Sequence, residues 1–459
     1  MCKFAHKSNE LCVMEFYRTI LNDLERWKNS PNRKPLLIRG ARQIGKTWAL
    51  KRFGETCFEN SVYVNFEEAI EIRAEFEKTK APSRIIPILR TYLGQRIDAG
   101  RTLIIFDEIQ ECNSALNSLK YFCEEAPEYH IIAAGSLLGV MLSKGDSFPV
   151  GKVDILDMYP LTFREFLWTA EKRMLDYIDS LDAISPLPQF VFNSLEELFR
   201  RYMISGGMPE AALAMLEGKE MSVIDKTLDN ILASYAWDFA KHSQPNDTQR
   251  IAAIWQSLPS QLSKENRKFV YGVVKTGARA REYESALLWL EHAGLIIRSF
   301  CSSKPLLPLT AYDDLSSFKV YAGDVGLLRA LAKLPNDAIF GESHAFVEFK
   351  GALMENYILQ SLMCQFSPIP RYWMSSGTAE VDFVIQNELD IIPVEVKSGI
   401  NLRAKSLKLY IERYSPTVAL RFSRTNINDS GKVLDLPLFL ADWTKQILEI
   451  RKSTDGRSK

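Results

Sequence analysis

One stretch of eight residues constrains the fold of this chain more than any other part of its sequence. Residues 40–47 are Gly-Ala-Arg-Gln-Ile-Gly-Lys-Thr, which fits the phosphate-binding pattern G-x-x-x-x-G-K-[ST] without a departure. Residues 35–39 before it form an apolar run of strand length, and residues 48–53 after it have a helical pattern. The stretch therefore predicts a nucleotide-binding loop between a strand and a helix, whose N-terminal dipole favours phosphate.

Every position of this loop is a predicted nucleotide contact. Glycines let the backbone turn with its N–H groups pointing at a phosphate, the lysine reaches the β- and γ-phosphates, and the threonine hydroxyl binds Mg²⁺. The predicted contacts are Gly40, Ala41, Arg42, Gln43, Ile44, Gly45, Lys46 and Thr47. The predicted ligands are ATP and Mg²⁺.

An acidic pair follows the buried-strand run at residues 102–106. In this position we expect Asp107 to hold Mg²⁺ through water and Glu108 to polarise the attacking water, which would make the chain a hydrolase. The alternative is a pair of capping residues for a helix predicted over 109–125. The loop upstream favours the catalytic interpretation.

Further apolar runs at residues 61–66 and 130–134 alternate with helical segments, which predicts an α/β fold with a doubly wound parallel sheet. Ser136 follows the second of these runs. Because ligands bind at the carboxyl ends of such strands, Ser136 is placed to sense the γ-phosphate or to orient water. Capping the next helix is the alternative role.

Several longer blocks add to these motifs. They are residues 104–110, Ala-Gly-Ser at 134–136, Tyr-Pro-Leu-Thr-Phe-Arg-Glu-Phe at 159–166 and Ser-Gly-Gly-Met-Pro-Glu at 205–210. With the loop, they resemble prokaryotic ATPases of the AAA superfamily that carry a C-terminal domain of undefined function. The resemblance covers nearly the whole chain and implies Mg-ATP hydrolysis. Relatives usually have Gly-Arg before the Pro-Leu-Thr-Phe block, so Lys152 takes the place of a candidate arginine finger, without the planar fork of arginine.

The last part of the chain contains charged residues spaced as in a metal site. Asp382 lies in a strand-like apolar run, Glu395 and Lys397 alternate on the next one, and Glu355 lies on a predicted helix over about 345–364. Two carboxylates on neighbouring strands can hold a divalent metal, with Glu355 completing its shell and Lys397 orienting or deprotonating water. The set resembles the PD-(D/E)xK fold of restriction endonucleases and archaeal Holliday-junction resolvases, which implies a second Mg²⁺ or Mn²⁺. An ion-pair network is the alternative.

Between the loop and these acids, residues 250–335 have the pattern of helices followed by a strand pair, which is typical of a winged helix. There Lys275, Arg279 and Arg281 could contact a phosphate backbone, and a protein-docking module fits equally well. The length of 459 residues also predicts several domains. We expect an ATPase core at 1–168, a helical lid at 169–249, the winged-helix-like segment at 250–335 and a nuclease-like domain at 336–459.

Composition limits the partners. The formal charge is zero because 57 basic residues balance 57 acidic ones, so nothing global indicates nucleic acid or a membrane. The seven cysteines form no Cys-x-x-Cys pair, which argues against a zinc site and for reduced thiols. With no apolar signal segment and no apolar run long enough to span a bilayer, we expect a cytoplasmic protein without a membrane partner.

Two classes of function stay open. The first is an ATP-driven enzyme that acts on DNA through a C-terminal nuclease. The second is an ATP-dependent switch or scaffold that recruits protein partners or self-associates, with a catalytically inactive nuclease-like domain. The two differ in whether DNA stimulates hydrolysis and in whether Asp382, Glu395 and Lys397 bind metal.

Overall fold

The chain folds into two units, each with its own β-sheet. The first contains the residues up to Pro160 together with Leu288–Gly294, and the second contains Leu161–Leu287 and the chain from Leu295 onward. The computed structural model describes residues 15–136, 149–243, 245–264, 268–336, 339, 347–375, 379–399 and 404–457.

The first unit is a parallel α/β sheet. Its strands are β1 (Leu36–Arg39), β2 (Asn60–Asn65), β3 (Thr102–Asp107), β4 (His130–Gly135) and β5 (Asp154–Asp157). Its helices are α1 (Ile20–Lys28), α2 (Lys46–Cys57), α3 (Ile70–Lys78), α4 (Pro82–Leu93) and α5 (Asn113–Glu125). The strand order is β2-β3-β4-β1-β5 and every pair is parallel. β3 and β4 are buried along their whole length. This is what their continuous apolar runs predicted, because a strand covered on both faces is apolar throughout.

The strand order places the phosphate loop at a switch point of this sheet. The chain leaves β1 towards β2 at one edge, returns through β3 and β4, and crosses to β5 on the other side of β1. In open α/β sheets, ligands bind outside the carboxyl ends of the strands at such a point. The loop that follows β1 therefore lies in the expected crevice.

The helix predicted over 109–125 is interrupted. Ile109–Glu111 form a single 3₁₀ turn, and α5 begins at Asn113. Glu108 precedes the 3₁₀ turn in the left-handed region, with φ of 48°, and its side chain makes no capping hydrogen bond. The acidic pair thus does not cap α5.

The second unit begins with helices and ends in a mixed sheet. Its helices are α6 (Phe163–Ala170), α7 (Lys172–Asp179), α8 (Gln189–Ser205), α9 (Pro209–Leu216), α10 (Met221–His242), α11 (Pro245–Leu262), α12 (Tyr271–Val274), α13 (Ala280–His292, whose last five residues belong to the first unit), α14 (Val325–Leu331), α15 (Val347–Met363), α16 (Lys405–Tyr414) and α17 (Thr444–Arg457). Its strands are β6 (Ile296–Ser302), β7 (Asp313–Ala322), β8 (Arg371–Met374), β9 (Glu380–Asn387), β10 (Asp390–Val396), β11 (Ala419–Ser423), β12 (Asn428–Asp429) and β13 (Val433–Pro437). The helical character expected for 169–249 is thus present. Residues 345 and 346 of the predicted acidic helix lie outside the described residues.

The strand pair expected of a winged helix forms, but it does not stand alone. β6 and β7 are antiparallel, and β6 also pairs in parallel with β8. All eight strands make one sheet in the order β12-β13-β11-β10-β9-β8-β6-β7. A two-stranded ribbon is marginally stable by itself, and here it extends the sheet that contains the C-terminal acids.

The two sequence blocks without a phosphate-binding rationale meet in the second unit. Thr162 and Glu165 form a reciprocal capping box that starts α6. The Leu161 N–H donates to the Gly207 carbonyl at 2.7 Å, and the Tyr202 hydroxyl donates to the Leu161 carbonyl at 2.6 Å. We call this crossing of residues 161–165 with 205–208 the backbone joint.

Asp324 completes the backbone joint. Its carboxylate accepts from the Gly207 N–H at 2.6 Å and from the Leu327 N–H at 3.0 Å, where it also caps α14. Burial raises the pKa of Asp324 to about 6, and the N–H groups oppose that rise. The blocks at 159–166 and 205–210 therefore contain residues that connect backbone segments.

Candidate functional site

The phosphate loop joins β1 to α2 through a backbone that needs glycine. Gly40, Gln43 and Gly45 all have positive φ values, of 151°, 64° and 89°. A Cβ at Gly40 would lie 2.2 Å from the Met158 carbonyl oxygen, so no other residue fits there without a shift of the backbone. Gly45 precedes the first residue of α2, and the N–H groups of that helix terminus face the loop.

Lys46 lies inside the loop. It is 7% exposed, and its Nζ donates to the carbonyls of Gly40 at 2.9 Å and Ala41 at 2.7 Å. Burial lowers the pKa of Lys46 to about 8, while the nearby carboxylates Glu108 and Asp107 act in the opposite direction. A buried ammonium held mainly by neutral carbonyls gains from an anionic partner, which a phosphate would supply.

Thr47 and Asp107 meet at the end of β3. The Thr47 Oγ1 donates to the Asp107 Oδ2 at 2.6 Å, and Asp107 is 2% exposed. A hydroxyl and a carboxylate are hard oxygen donors of the kind that Mg²⁺ prefers. These two residues therefore fit a magnesium ion held by one direct ligand and one carboxylate acting through water.

Glu108 is next to two polar side chains. Its Oε2 accepts from the Ser136 hydroxyl at 3.4 Å and from the Gln110 amide. Ser136 follows β4, which neighbours β3, so the two carboxyl ends bring these residues together. The arrangement suits a carboxylate held in place to accept a proton from water.

Three residues of this region were missed in the sequence. The buried Arg18 donates to the Ile44 carbonyl of the loop at 2.5 Å and to the Tyr159 carbonyl at 2.6 Å. Tyr63 donates its hydroxyl to Asp107 at 2.9 Å, and Gln110 contacts Glu108. Arg18 and Tyr63 belong to no recognised pattern, and Gln110 ends the block at 104–110 but was given no role there. Only the neighbouring position of β2 and β3 could have pointed to Tyr63.

Lys152 lies away from the loop of its own unit. It precedes β5, whose Asp154 pairs with Leu36 at the start of β1, whereas the loop follows the end of β1, roughly 13 Å along the strand. Its Nζ contacts Glu124 near the C-terminal end of α5 at 2.8 Å. The structure thus does not bring Lys152 to the nucleotide site of the same unit.

In the second unit, three of the four predicted C-terminal residues come together. The register of β9 and β10 continues so that Asp382 lies opposite Glu395, and Asp382 accepts from the Val396 N–H at 2.7 Å. Lys397 Nζ contacts Glu395 Oε1 at 2.6 Å. Glu395 is 5% exposed, and its Oε2 has no hydrogen-bond partner among the described residues.

The environment of Glu395 disfavours its charge. Burial and the Asp382 carboxylate raise the pKa of Glu395 to about 7, although Lys397 acts in the opposite direction. A buried carboxylate oxygen without a donor is costly. A cation between Asp382 and Glu395 would relieve both the desolvation and the repulsion.

Glu355 lies elsewhere, contrary to the expectation that it completes this set. It accepts from the Tyr321 hydroxyl at 3.4 Å, and the ring of Tyr321 packs against Phe383 with 5.7 Å between centroids. Val394 pairs with Phe383 and faces the same side of the sheet, so the next residue of β10, Glu395, faces the other side. Within the described part of the chain, no cluster of three or more His, Cys, Asp or Glu side chains has the arrangement of a metal site.

Comparisons with known proteins match the chain in three parts. Residues 32–167 match the model of an AAA domain, and residues 196–338 and 350–439 each match a domain of unknown function. A search of curated proteins finds no match.

Solved structures resemble the chain at low identity. A Walker-type ATPase of Pyrococcus abyssi is 14% identical with a TM-score of 0.44, covering 68% of this chain and 94% of the other. The Orc1 protein of Aeropyrum pernix, solved in complex with DNA, is 13% identical with a TM-score of 0.28, covering 70% and 91%. The RuvB Holliday junction branch migration motor of Thermotoga maritima is 14% identical with a TM-score of 0.30, covering 62% and 90%.

Within the described residues, no helix is both long and apolar enough to cross a membrane. The phosphate loop, the acidic pair at the end of β3 and the parallel sheet occur in the same residues that match the family model. Residues 32–167 thus match an AAA domain, and this match, on a P-loop α/β sheet, supports an AAA-superfamily ATPase.

Proposed function

We propose that the chain binds Mg-ATP in the first unit and hydrolyses it. The observation that carries the proposal is the convergence of Lys46, Thr47, Asp107 and Glu108 at the carboxyl ends of β1 and β3. Lys46 would bind the β- and γ-phosphates, and the loop N–H groups would orient them. Thr47, and Asp107 through water, would hold magnesium, which would neutralise charge on the phosphate oxygens.

Glu108 and its neighbours would activate the attacking water. Glu108, held by Ser136 and Gln110, would accept a proton from the attacking water while Ser136 stays within reach of the γ-phosphate. Loss of Glu108 should then affect hydrolysis and leave binding intact.

The test is ATP binding and turnover by the full chain and three variants. Lys46→Ala should lose nucleotide binding, and Glu108→Gln should bind ATP with wild-type affinity and lose at least about a hundredfold in turnover. Lys78→Ala, at an exposed position of α3, is the matched lysine control and should behave as wild type. Wild-type turnover in both site variants would contradict the assignment.

A second function, metal-dependent action on DNA, is favoured by one specific observation in the second unit. Glu395 is buried opposite Asp382, its Oε2 has no partner in the part of the chain that the structure describes, and Lys397 is next to it. We propose that Asp382 and Glu395 hold Mg²⁺ or Mn²⁺ and that Lys397 orients a water for attack on a phosphodiester. Because Glu355 lies on the other face, it has no part in this proposal.

The metal can be tested with the ATP site disabled by Lys46→Ala. Mn²⁺ should bind in that background, Asp382→Ala should remove the binding, and Lys397→Ala should spare it yet stop cleavage of DNA. Asp390→Ala, at the half-buried start of β10 where Asp390 contacts Lys452, is the control. ATP turnover with single-stranded, duplex and branched DNA would show whether the two functions are coupled.

The alternative is the ATP-dependent switch or scaffold. No metal binding, no cleavage of any DNA form, and lower stability of Asp382→Ala would together favour it, because the carboxylates would then serve an ion-pair network. Protein partners or self-association would become the expected outcome of ATP binding.

A further inference from the structure

Tyr63 is an aromatic residue that no part of the phosphate-loop pattern requires. It lies on β2, where it pairs with Ile105 of β3, two residues before Asp107. Its hydroxyl donates to the Oδ2 of Asp107, the last residue of β3, at 2.9 Å. The hydroxyl group is thus hydrogen-bonded to the carboxylate proposed to serve magnesium.

The Asp107 carboxylate has donors on both oxygens. Oδ1 accepts from the Glu108 N–H at 3.0 Å, and Oδ2 accepts from both Thr47 and Tyr63. A buried carboxylate needs such donors because it is cut off from water. Together they determine how the two oxygens are oriented at the end of β3.

The donors differ in what else they do. The Glu108 N–H is part of a backbone that turns sharply into the 3₁₀ segment, and the Thr47 oxygen would be shared with magnesium. Tyr63 neither forms this turn nor would bind magnesium. Its ring is held by Lys51, whose Nζ lies 4.2 Å from the ring centroid and which is four residues after Thr47 on α2.

We propose that Tyr63 is a positioning residue that aims Asp107 at the magnesium of Mg-ATP, an inference that rests on the proposed ATPase function. Without the hydroxyl, Asp107 keeps its charge and its contact with Thr47 but loses one restraint on its orientation. The magnesium requirement should then rise, whereas the contacts of Lys46 and the loop with the nucleotide should not change.

The experiment compares wild type, Tyr63→Phe and the control Tyr92→Phe, which removes the hydroxyl of an exposed tyrosine on α4. Two quantities are measured: turnover against free Mg²⁺, and ATP affinity in EDTA and in saturating Mg²⁺. We expect Tyr63→Phe to need about tenfold more Mg²⁺ for half-maximal turnover, as loss of one hydrogen bond to a charged group would give. Its ATP affinity in EDTA should equal that of wild type.

The outcomes distinguish failure of the proposed Tyr63 role from failure of the proposed ATPase function. An unchanged Mg²⁺ requirement, or a parallel loss of affinity in EDTA, would make Tyr63 a packing residue and overturn the inference. If wild type binds ATP without hydrolysing it, the ATPase proposal fails, and the ratio of affinities with and without Mg²⁺ still tests Tyr63. If wild type binds no nucleotide, both are overturned.

Discussion

At the residue scale, burial decides which polar groups respond to their surroundings. His130 opens β4 and is 7% exposed, with its ring edge-on to Trp27 at 6.0 Å and to Phe58 at 5.0 Å. Burial, together with the nearby cations Arg33 and Lys28, lowers the pKa of His130 to about 4. The imidazole is therefore neutral in the folded chain well below the pH at which a free histidine is protonated.

This predicts a loss of stability in mild acid. Between pH 6.5 and about 4 the unfolded chain binds a proton at His130 and the folded chain does not, so stability is present above pH 6.5 and falls as the pH decreases. The slope is about 1.4 kcal/mol per pH unit, or roughly 2 kcal/mol between pH 6.5 and 5. Urea unfolding of wild type and His130→Phe should show it.

His130→Phe should lose about 2 kcal/mol less than wild type over the same range, because phenylalanine binds no proton. Above pH 7 the difference between the two proteins should be constant. Parallel curves from pH 7 to 5 would show that His130 does not titrate between the folded and unfolded states.

At the scale of elements, the close approach of backbone segments explains the adjacent glycines Gly206 and Gly207 better than flexibility does. A Cβ on Gly207 would lie 2.1 Å from the Leu161 carbonyl oxygen, and one on Gly206 would lie 2.3 Å from the Asp324 carboxylate. Real Cβ atoms do not come so close to backbone, so the joint must open if either residue gains a side chain.

Gly207→Ala should therefore lower the free energy of unfolding of the second unit by about 3 kcal/mol, because overpacking separates Leu161 from Gly207 and Asp324 from its donor. Gly272→Ala is the matched control, since its Cβ would have a single neighbour at 4.0 Å and α12 gains a better helix former. Denaturant unfolding measures both. Equal free energies of unfolding for the two variants would show that the backbone joint accommodates a Cβ without loss of stability.

At the scale of the whole molecule, the position of Lys152 bears on self-association. Because it lies at the start of β5 and the phosphate loop follows the end of β1, any action of its charge on a γ-phosphate would have to occur in another copy of the chain. That role remains a prediction, made from the resemblance to ATPases that carry arginine there.

The prediction can be tested by mixing variants. Lys152→Ala should lower turnover more than ATP affinity if the charge acts on the transition state. The Lys46→Ala variant has an intact Lys152 but an inactive phosphate loop, and the Lys152→Ala variant has the reverse. Mixing the two variants should therefore restore part of the turnover and make turnover depend on protein concentration. Lys120→Ala, on α5, is the control and should keep full activity alone. No recovery on mixing, with normal turnover of Lys152→Ala, would remove Lys152 from the mechanism.

Local sequence determined the phosphate loop because the residues expected to bind phosphate are consecutive in the chain. Gly40, Gly45 and Lys46 act through backbone turning and one long side chain, and the strand before them and the helix after them need no distant partner. The alternation of buried strands and helices likewise predicted the parallel sheet, since strands buried on both faces must be apolar throughout. These features could be inferred with no knowledge of which strand neighbours which.

The tertiary structure decided which contacts form, where these depend on the order of strands and on the face of a sheet. Tyr63 contacts Asp107 only because β2 lies beside β3, and Glu355 is separated from Glu395 because its helix packs on the other face of the sheet. Helical periodicity identifies the buried face of a helix but not the sheet face against which it packs. For the same reason β6 and β7 could be expected as a pair, while their extension into the eight-stranded sheet depends on backbone hydrogen bonds to β8, which any sequence can make.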